Sequence, residues 1–303
     1  MSVKEDGNWR SFRHRNYRIL FPANTVSNIG SWAQRIAQDW LVLELTNNNG
    51  TYLGLVTAVQ FAPVLFFSLH GGKFADRFNK RKVLILTNVI GGAASLALGI
   101  LVMTNLIALW HVFVLAAVLG ISTAIDAPVR QAFTTEVVGQ SDLPNAVSLN
   151  SANFNAGRLI GPAASGFLIV LFGTGLSFVI NSFTYLAVVI SLLMIRKSEL
   201  FISVKPERGA KLKEAVTYVL GHTEIRLVMI AVFFATTFGL NFQIFMAIMA
   251  TQEFGKGPAE FGILGSILAV GSFTGVLVSA KLEHLRVPKW VMRFGMGFGL
   301  LLM

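Results

Sequence analysis

Polar side chains recur at helical spacing in the first apolar stretch of the sequence. Steps of four and three residues place them on one face of a helix: Asn24, Asn28, Ser31, Arg35 and Gln38. A polar face is costly against lipid, so this face is expected to line a cavity or the interior of a helix bundle. Asp39 follows Arg35 by four residues and is therefore a candidate ion-pair partner and proton carrier.

A second polar stripe lies in a later apolar stretch. Its members are Ser148, Ser151, Asn155, Arg158 and Ser165. Arg158 falls near the middle of its span, where an arginine needs a partner, and Asp39 is a candidate partner for Arg158 as well as for Arg35. Two interpretations stay open: an ion pair that opens when Asp39 takes up a proton, or a fixed pair that orients two helices. Asn241 is a further candidate for the cavity wall, or a hydrogen-bonding group between helices.

Apolar windows of about twenty residues recur along nearly the whole chain. Of its 303 residues, 54% are hydrophobic and 13% are charged, a composition whose apolar surface a water-soluble fold cannot bury. Spans are predicted at residues 19–45, 51–72, 83–104, 107–129, 146–172, 176–195, 227–250 and 259–280, with a ninth from about residue 287. The predicted fold class is an all-α polytopic membrane protein.

Lysine and arginine residues are concentrated in alternate loops. One side of the predicted membrane carries nearly all of them, and Lys256 is the one cation predicted on the other side. This positive-inside pattern predicts a multi-pass protein of the cytoplasmic (inner) membrane with a cytoplasmic N-terminus. The net charge of +10 is therefore a topology signal, and nucleic-acid binding is not expected. The histidines have no metal-ligand spacing, so no metal site is expected.

The spacing of spans and loops predicts four regions. A cytoplasmic N-terminus covers residues 1–18, and an N-terminal half of six helices covers residues 19–195. A cytoplasmic linker covers residues 196–226 and contains a short amphipathic helix at residues 211–222. Residues 227–303 begin a C-terminal half with two full spans and part of a third. This layout is typical of carriers built from two halves, and we expect the second half to be incomplete.

Four motifs carry a resemblance to a known family. Residues 71–82 read GGKFADRFNKRK, and residues 157–166 read GRLIGPAASG. They resemble two signatures of the major facilitator superfamily, that of the first cytoplasmic loop and that of the antiporters. Residues 126–132, DAPVRQA, and 142–146, DLPNA, are similar to its enterobactin-exporter-like branch, the transmembrane secretion effectors. Asn79 replaces a signature glycine, and asparagine tolerates positive φ in a turn.

The resemblance implies a major facilitator fold with a latch at its cytoplasmic side. The candidate latch residues are Gly72, Asp76, Arg77, Lys80, Arg81, Asp126 and Arg130. Asp76 is expected to meet a helix N-terminus of the second half, and Arg77, Arg81 and Asp126 to form a charge network. The alternative is a basic loop that only sets the topology.

The antiporter-like motif places three glycines and a proline on one helix. These candidate residues are Gly157, Gly161, Pro162 and Gly166. The resemblance implies a bend that seals the cavity against leak, and the alternative is ordinary close packing of small residues between helices.

We therefore predict a secondary active transporter that exports a small amphipathic compound, drug-like or siderophore-like, against proton entry. An uptake carrier of the same superfamily, or a truncated membrane protein without transport activity, is the alternative. Enzymatic activity is not expected, because the chain has no paired carboxylates, nucleophile elbow or phosphate-binding loop. The expected partners are a small-molecule substrate and the bilayer, and a monomer with no cofactor is expected. The proton gradient is the expected driving force.

Overall fold

The computed structural model describes residues 9–201, 212–239 and 242–281. Its α-helices are α1 (Arg15–Leu45), α2 (Gly50–Arg77), α3 (Lys80–Met103), α4 (Leu109–Phe172), α5 (Thr174–Leu193), α6 (Leu212–Gly221), α7 (Thr223–Gly239), α8 (Phe242–Ile248) and α9 (Pro258–Lys281). Short 3-10 turns cover Arg10–Arg13 and Lys197–Glu199, and a π-helical turn covers Met249–Glu253. α4 packs against α1, α2, α3, α5 and α9. The predicted all-α architecture is confirmed.

The outer surface of the bundle is apolar. Large side chains such as Phe167, Phe172 and Phe183 are exposed on it. Among the described residues, four helical segments are long and apolar enough to cross a membrane, namely Gly50–Phe67 of α2 together with α3, α4 and α5. α1 is long enough as well, but it carries the polar stripe. Such a surface requires lipid as its solvent, as expected for a multi-pass membrane protein.

The junction between the fourth and fifth predicted spans differs from the prediction. A loop was expected between residues 129 and 146, yet α4 runs through this region and is interrupted in its backbone only at Gly139, with φ 73° and ψ 169°. Glycine adopts these angles because it lacks a Cβ. The Phe201 ring packs over Gly139, and the Phe201 N–H donates to the Glu136 carbonyl at 2.7 Å. The two spans thus meet at a sharp corner. We call the segments before and after Gly139 the first and second arms of α4.

The junction between α2 and α3 is also shorter than expected. α2 continues through Arg77, so only Phe78 and Asn79 separate the two helices. Asn79 has φ −65°, and its side chain accepts a hydrogen bond from the Lys82 N–H at 3.1 Å. The expectation that Asn79 uses positive φ is therefore wrong. It caps the N-terminus of α3, a position that favours asparagine because the side chain satisfies a free backbone N–H.

The described residues of the later part of the chain are helical in the predicted spans. The predicted amphipathic helix is present as α6, and the span predicted at residues 259–280 corresponds to α9. In the span predicted at residues 227–250, the described residues belong to α7, α8 and the start of the π-helical turn. The ninth span, predicted from about residue 287, lies outside the described residues. The boundaries of the two halves and the linker stay a prediction.

A buried polar network fixes α1 in the bundle. The Gln34 side-chain oxygen Oε1 accepts hydrogen bonds from Ser95 Oγ of α3 and from Asn181 Nδ2 of α5, both at 2.6 Å. Thr184 Oγ1 donates to Asn181 Oδ1 at 2.7 Å. Buried polar groups in a membrane protein need such partners, because lipid offers none. The network therefore sets the rotation of α1, and with it the direction of the polar stripe.

The N-terminal 3-10 turn is tied to α4 by what we call the Asp142 cluster: Arg10, Arg13, His14 and Asp142. The Asp142 carboxylate is only 1% exposed, and Arg13 Nε and His14 Nε2 each lie 2.7 Å from its Oδ2. Arg10 Nε lies 2.7 Å from Oδ1 without hydrogen-bond alignment, so that contact is electrostatic. Burial raises the pKa of Asp142, but the hydrogen bond from His14 and the charges of Arg13 and Arg10 outweigh it and hold the pKa below 3.8.

Candidate functional site

A cavity of about 840 Å³ lies between α1 to α5. The five members of the α1 polar stripe line it: Asn24, Asn28, Ser31, Arg35 and Gln38. From the second stripe, Ser151 and Asn155 line the cavity. Gln38 Nε2 donates to the Gln60 side chain of α2 at 2.9 Å, and Asn28 Nδ2 donates to the Asn153 carbonyl of α4 at 2.7 Å. The wall therefore places polar groups in the interior of an apolar bundle.

Arg35 has aromatic neighbours in place of the expected carboxylate. Its guanidinium carbon lies 4.8 Å from the centre of the Trp32 ring and 4.9 Å from the centre of the Phe61 ring. Asp39 is buried one helical turn away and attracts Arg35 electrostatically. The ion pairs found among the described residues do not include Arg35 with Asp39, so the predicted direct pair is wrong there. The same holds for Arg158, whose charge repels that of Arg35.

The second arginine in the cavity wall, Arg130, has a carboxylate partner. Asp126 and Arg130 of the first arm of α4 form an ion pair, with Nε to Oδ2 at 2.6 Å and Nη2 to Oδ1 at 3.0 Å. The Asp126 carboxylate also accepts hydrogen bonds from Thr87 Oγ1 at 2.7 Å and Asn88 Nδ2 at 3.0 Å, both on α3. Arg130 in turn donates to Asn24 Oδ1. The Asp126–Arg130 pair therefore joins α1, α3 and α4 at the cavity wall.

Neutralising Asp126 is expected to destabilise the protein through Arg130. Asp126→Asn keeps the shape of the side chain but leaves the Arg130 charge without its anion. We expect it to lower the free energy of unfolding by about 2 kcal/mol in this partly exposed position. Thermal unfolding of the purified chain measures the loss. In the double variant Asp126→Asn, Arg130→Gln, part of the stability should return, because both charges are removed together. Two losses that simply add would show that the pair is not coupled.

The latch residues are only partly brought together. The side chains of Gly72, Asp76 and Arg77 lie outside the described part of the chain, and their roles stay a prediction. Lys80 Nζ lies 2.7 Å from Glu136 Oε1 of α4. Arg81 does not take part in the expected network with Asp126: it donates to carbonyls at the end of α5, Leu192 at 2.7 Å and Leu193 at 2.8 Å. Cations are favoured there because the last carbonyls of a helix have no helical partners.

The antiporter-like motif faces two different helices. An added Cβ at Gly161 would lie 3.0 Å from the Ala33 N and 3.1 Å from the Ile29 carbonyl, so this glycine permits backbone contact with α1. Gly157 meets the Asn28 and Trp32 side chains of the same helix. An added Cβ at Gly166 would instead lie 3.0 Å from the Pro258 carbonyl of α9. The motif thus forms two seams, one on each side of the second arm of α4.

Pro162 belongs to the seam with α9. Its carbonyl would be 2.7 Å from a Cβ added at Gly262, and its ring faces Gly265. Ser266 Oγ of α9 donates to the Leu159 carbonyl at 3.2 Å, within the turn before the proline. The Ser266 hydroxyl thus provides a side-chain partner for a backbone carbonyl close to a residue that lacks an N–H.

Several residues of the site were not found from the sequence. Trp32 lines the cavity and makes an edge-on contact with Phe154, with ring centres 5.5 Å apart. Phe61 and Tyr185 line the cavity as well. No spacing rule marks them, because aromatic side chains are common on lipid-facing surfaces. Asn241 lies outside the described residues, so its predicted place in the wall stays a prediction.

A family model described as transmembrane secretion effector matches residues 6–296. The chain belongs to this family of the major facilitator superfamily. Among solved structures, this member of the family resembles a bacterial homolog of the human lysosomal transporter Spinster in an inward-facing, unoccupied conformation. The TM-score is 0.67 at 15% identity, covering 93% of this chain and 64% of that one. The likeness supports the major facilitator fold.

Curated relatives are similar to this family member at low identity. The Staphyloferrin A transporter of Staphylococcus aureus (strain NCTC 8325 / PS 47) is 25% identical over 87% of this chain and 66% of its own length. Multidrug resistance protein 2 of Bacillus subtilis (strain 168) is 24% identical over 79% of this chain and 59% of its own. The multidrug efflux pump Tap of Mycolicibacterium fortuitum is 28% identical over 51% of this chain and 39% of its own. The chain thus spans at most about two thirds of these relatives.

Proposed function

We propose that this chain works in proton-coupled export of a small amphipathic compound across the cytoplasmic membrane, with its N-terminus in the cytoplasm. The observation that carries the proposal is the polar cavity inside an apolar helix bundle. Its wall combines amides and hydroxyls with aromatic rings, a mixture that suits molecules with both polar and apolar parts. Relatives named as multidrug and macrolide efflux proteins support the direction.

The coupling proposal concerns Asp39. It is a buried carboxylate on the helix that supplies the polar stripe, and it is one turn from the Arg35 that faces the cavity. A proton taken up by Asp39 removes its attraction for Arg35, which changes the charge balance of the cavity wall. We propose that this change links proton entry to release of the substrate. Gly72, Asp76 and Arg77 are proposed to close the cytoplasmic side.

The test is accumulation of fluorescent drugs and of ferric siderophores in efflux-deficient cells that carry the gene encoding this chain. Export lowers accumulation, and an uncoupler should abolish the difference. Asp39→Asn should abolish it as well. The matched control is Glu44→Gln on the same helix, where the carboxylate is exposed and bonds Trp40 Nε1 at 2.6 Å. Raised accumulation would indicate uptake, and no change with any compound would contradict transport of these classes.

A further inference from the structure

The charge of Arg35 is the one feature of the cavity wall that the described residues leave without a counter-ion. Arg130, the other arginine in the wall, is neutralised by Asp126. Arg35 lies instead beside two aromatic rings, from α1 and α2; Asp39 attracts its charge without an ion-pair contact, and Arg158 on α4 repels it. Asp39 sits on the packed side of α1, away from the cavity wall. Of these two side chains, Arg35 is the one that lines the cavity, so this point of the wall presents a guanidinium.

An arginine inside a membrane protein normally has a partner, since burying an uncompensated charge is costly. Aromatic rings stabilise a guanidinium but do not accept its N–H groups as a carboxylate does. Among the hydrogen bonds of the described residues, none has Arg35 as its donor, although the neighbouring Asn28 and Gln38 both donate. The planar fork of N–H groups therefore faces the cavity and can take an oxyanion in two-point contact.

The surroundings of Arg35 restrict the anion further. The Trp32, Phe61 and Phe154 rings provide an apolar wall, and Gln38 and Gln60 provide amides beside it. A fully hydrated inorganic anion would gain nothing from the rings, whereas an organic anion can place its apolar part against them. A cationic amphipathic molecule would meet the Arg35 charge at close range.

We propose that Arg35 is the binding site for the carboxylate of an amphipathic organic anion, which is the substrate class of this cavity. This inference rests on the proposed transport function and names its substrate chemistry. The Trp32 and Phe61 rings lie against the guanidinium and receive the apolar part of the substrate. Cationic drugs are excluded by the same charge.

The experiment compares two probes of equal size and opposite charge, pyrenebutyrate and its trimethylammonium counterpart. The purified chain in lipid nanodiscs is titrated with each, and energy transfer from tryptophan to pyrene reports binding, since Trp32 is in the wall. We expect the carboxylate to bind at least tenfold more tightly than the ammonium probe. Arg35→Gln should weaken carboxylate binding by about tenfold or more and strengthen binding of the ammonium probe, because the charge that repels it is removed.

Two further variants control the comparison. Arg18→Gln makes the same change of charge on the same helix at an exposed position, and it should leave both affinities unchanged. Arg35→Lys keeps the charge but loses the flat fork, so its carboxylate affinity should lie between those of the wild type and Arg35→Gln. It also provides a measurement if Arg35→Gln fails to elute as a folded protein.

The outcomes separate this inference from the proposed function. Equal affinities for the two probes, or an Arg35→Gln variant that keeps its carboxylate affinity within twofold, would overturn the anion site. An Arg35→Gln variant that loses both probes equally would overturn it too, by showing a packing role. Selective anion binding in nanodiscs without any change of accumulation in cells would support the site and contradict transport.

Discussion

Asp142→Asn is expected to lower the free energy of unfolding by about 3 kcal/mol, because it breaks a buried charge cluster. The carboxylate is 1% exposed and is the anion shared by Arg10, Arg13 and His14. Both arginines reach water in part, so they regain hydration and the loss stays at the lower end of the range for a buried pair. Thermal unfolding of the purified chain measures it.

The stability that the Asp142 cluster contributes is expected to depend on pH. The pKa of Asp142 is lowered in the folded chain, so its contribution is present above the ordinary value of 3.8 and is lost as the pH falls through the lower folded value. The stability difference between the wild type and Asp142→Asn should therefore be large at neutral pH and shrink below about pH 4. A difference that persists in acid would show that shape, and not charge, is responsible.

The matched control for this variant is Glu199→Gln. It breaks the Arg196–Glu199 ion pair, which follows the C-terminus of α5 and whose side chains are 60% and 36% exposed. We expect a loss of less than about 1 kcal/mol, since exposed pairs are screened by water. Equal losses in the two variants would contradict the role assigned to burial.

Gly262→Val is expected to lower the free energy of unfolding by at least about 3 kcal/mol, because it forces α9 away from α4. A Cβ at Gly262 would lie 2.7 Å from the Pro162 carbonyl and 3.0 Å from the Gly166 Cα. These are backbone atoms, so no side-chain rotation relieves the clash. Valine is a better helix former than glycine, which makes destabilisation in this helix a clear sign of the contact.

Gly271→Val is the control for that prediction. Gly271 belongs to the same helix, and a Cβ there would meet none of the described residues within 4 Å. The variant makes the same change of helix propensity without a clash, so the free energy of unfolding should change little. If transport moves α9 relative to α4, Gly262→Val should also abolish export in the accumulation test while Gly271→Val retains it. Equal behaviour of the two variants in unfolding would contradict the close seam.

Helical periodicity and the cost of polar groups in lipid were enough to predict the α1 stripe and its direction. Residues three and four apart share a face whatever the surrounding fold is, and lipid excludes that face from the outside. The same reasoning predicted most spans. It overestimated the loops at Gly139 and Asn79, because a single glycine with positive φ and a two-residue junction turn the chain without a polar segment.

The partners of the charged residues were decided by tertiary structure. Asp39 is close to Arg35 in sequence, but Phe61 arrives from α2 and takes the contact. Arg10 and Arg13 carried only a topology signal, and their convergence on Asp142 requires the N-terminal turn to fold back on α4.

For the glycines of the antiporter-like motif, too, the sequence determined one property and the tertiary structure another. Their spacing predicted close packing on a helix, and that packing is present. Which helix each glycine meets depends on bundle geometry, since Gly161 contacts α1 and Gly166 contacts α9. Local sequence determines which side chains share a face, because the helix repeat is fixed by the backbone. Only packing between distant segments determines what that face touches, because those distances are set by the whole bundle.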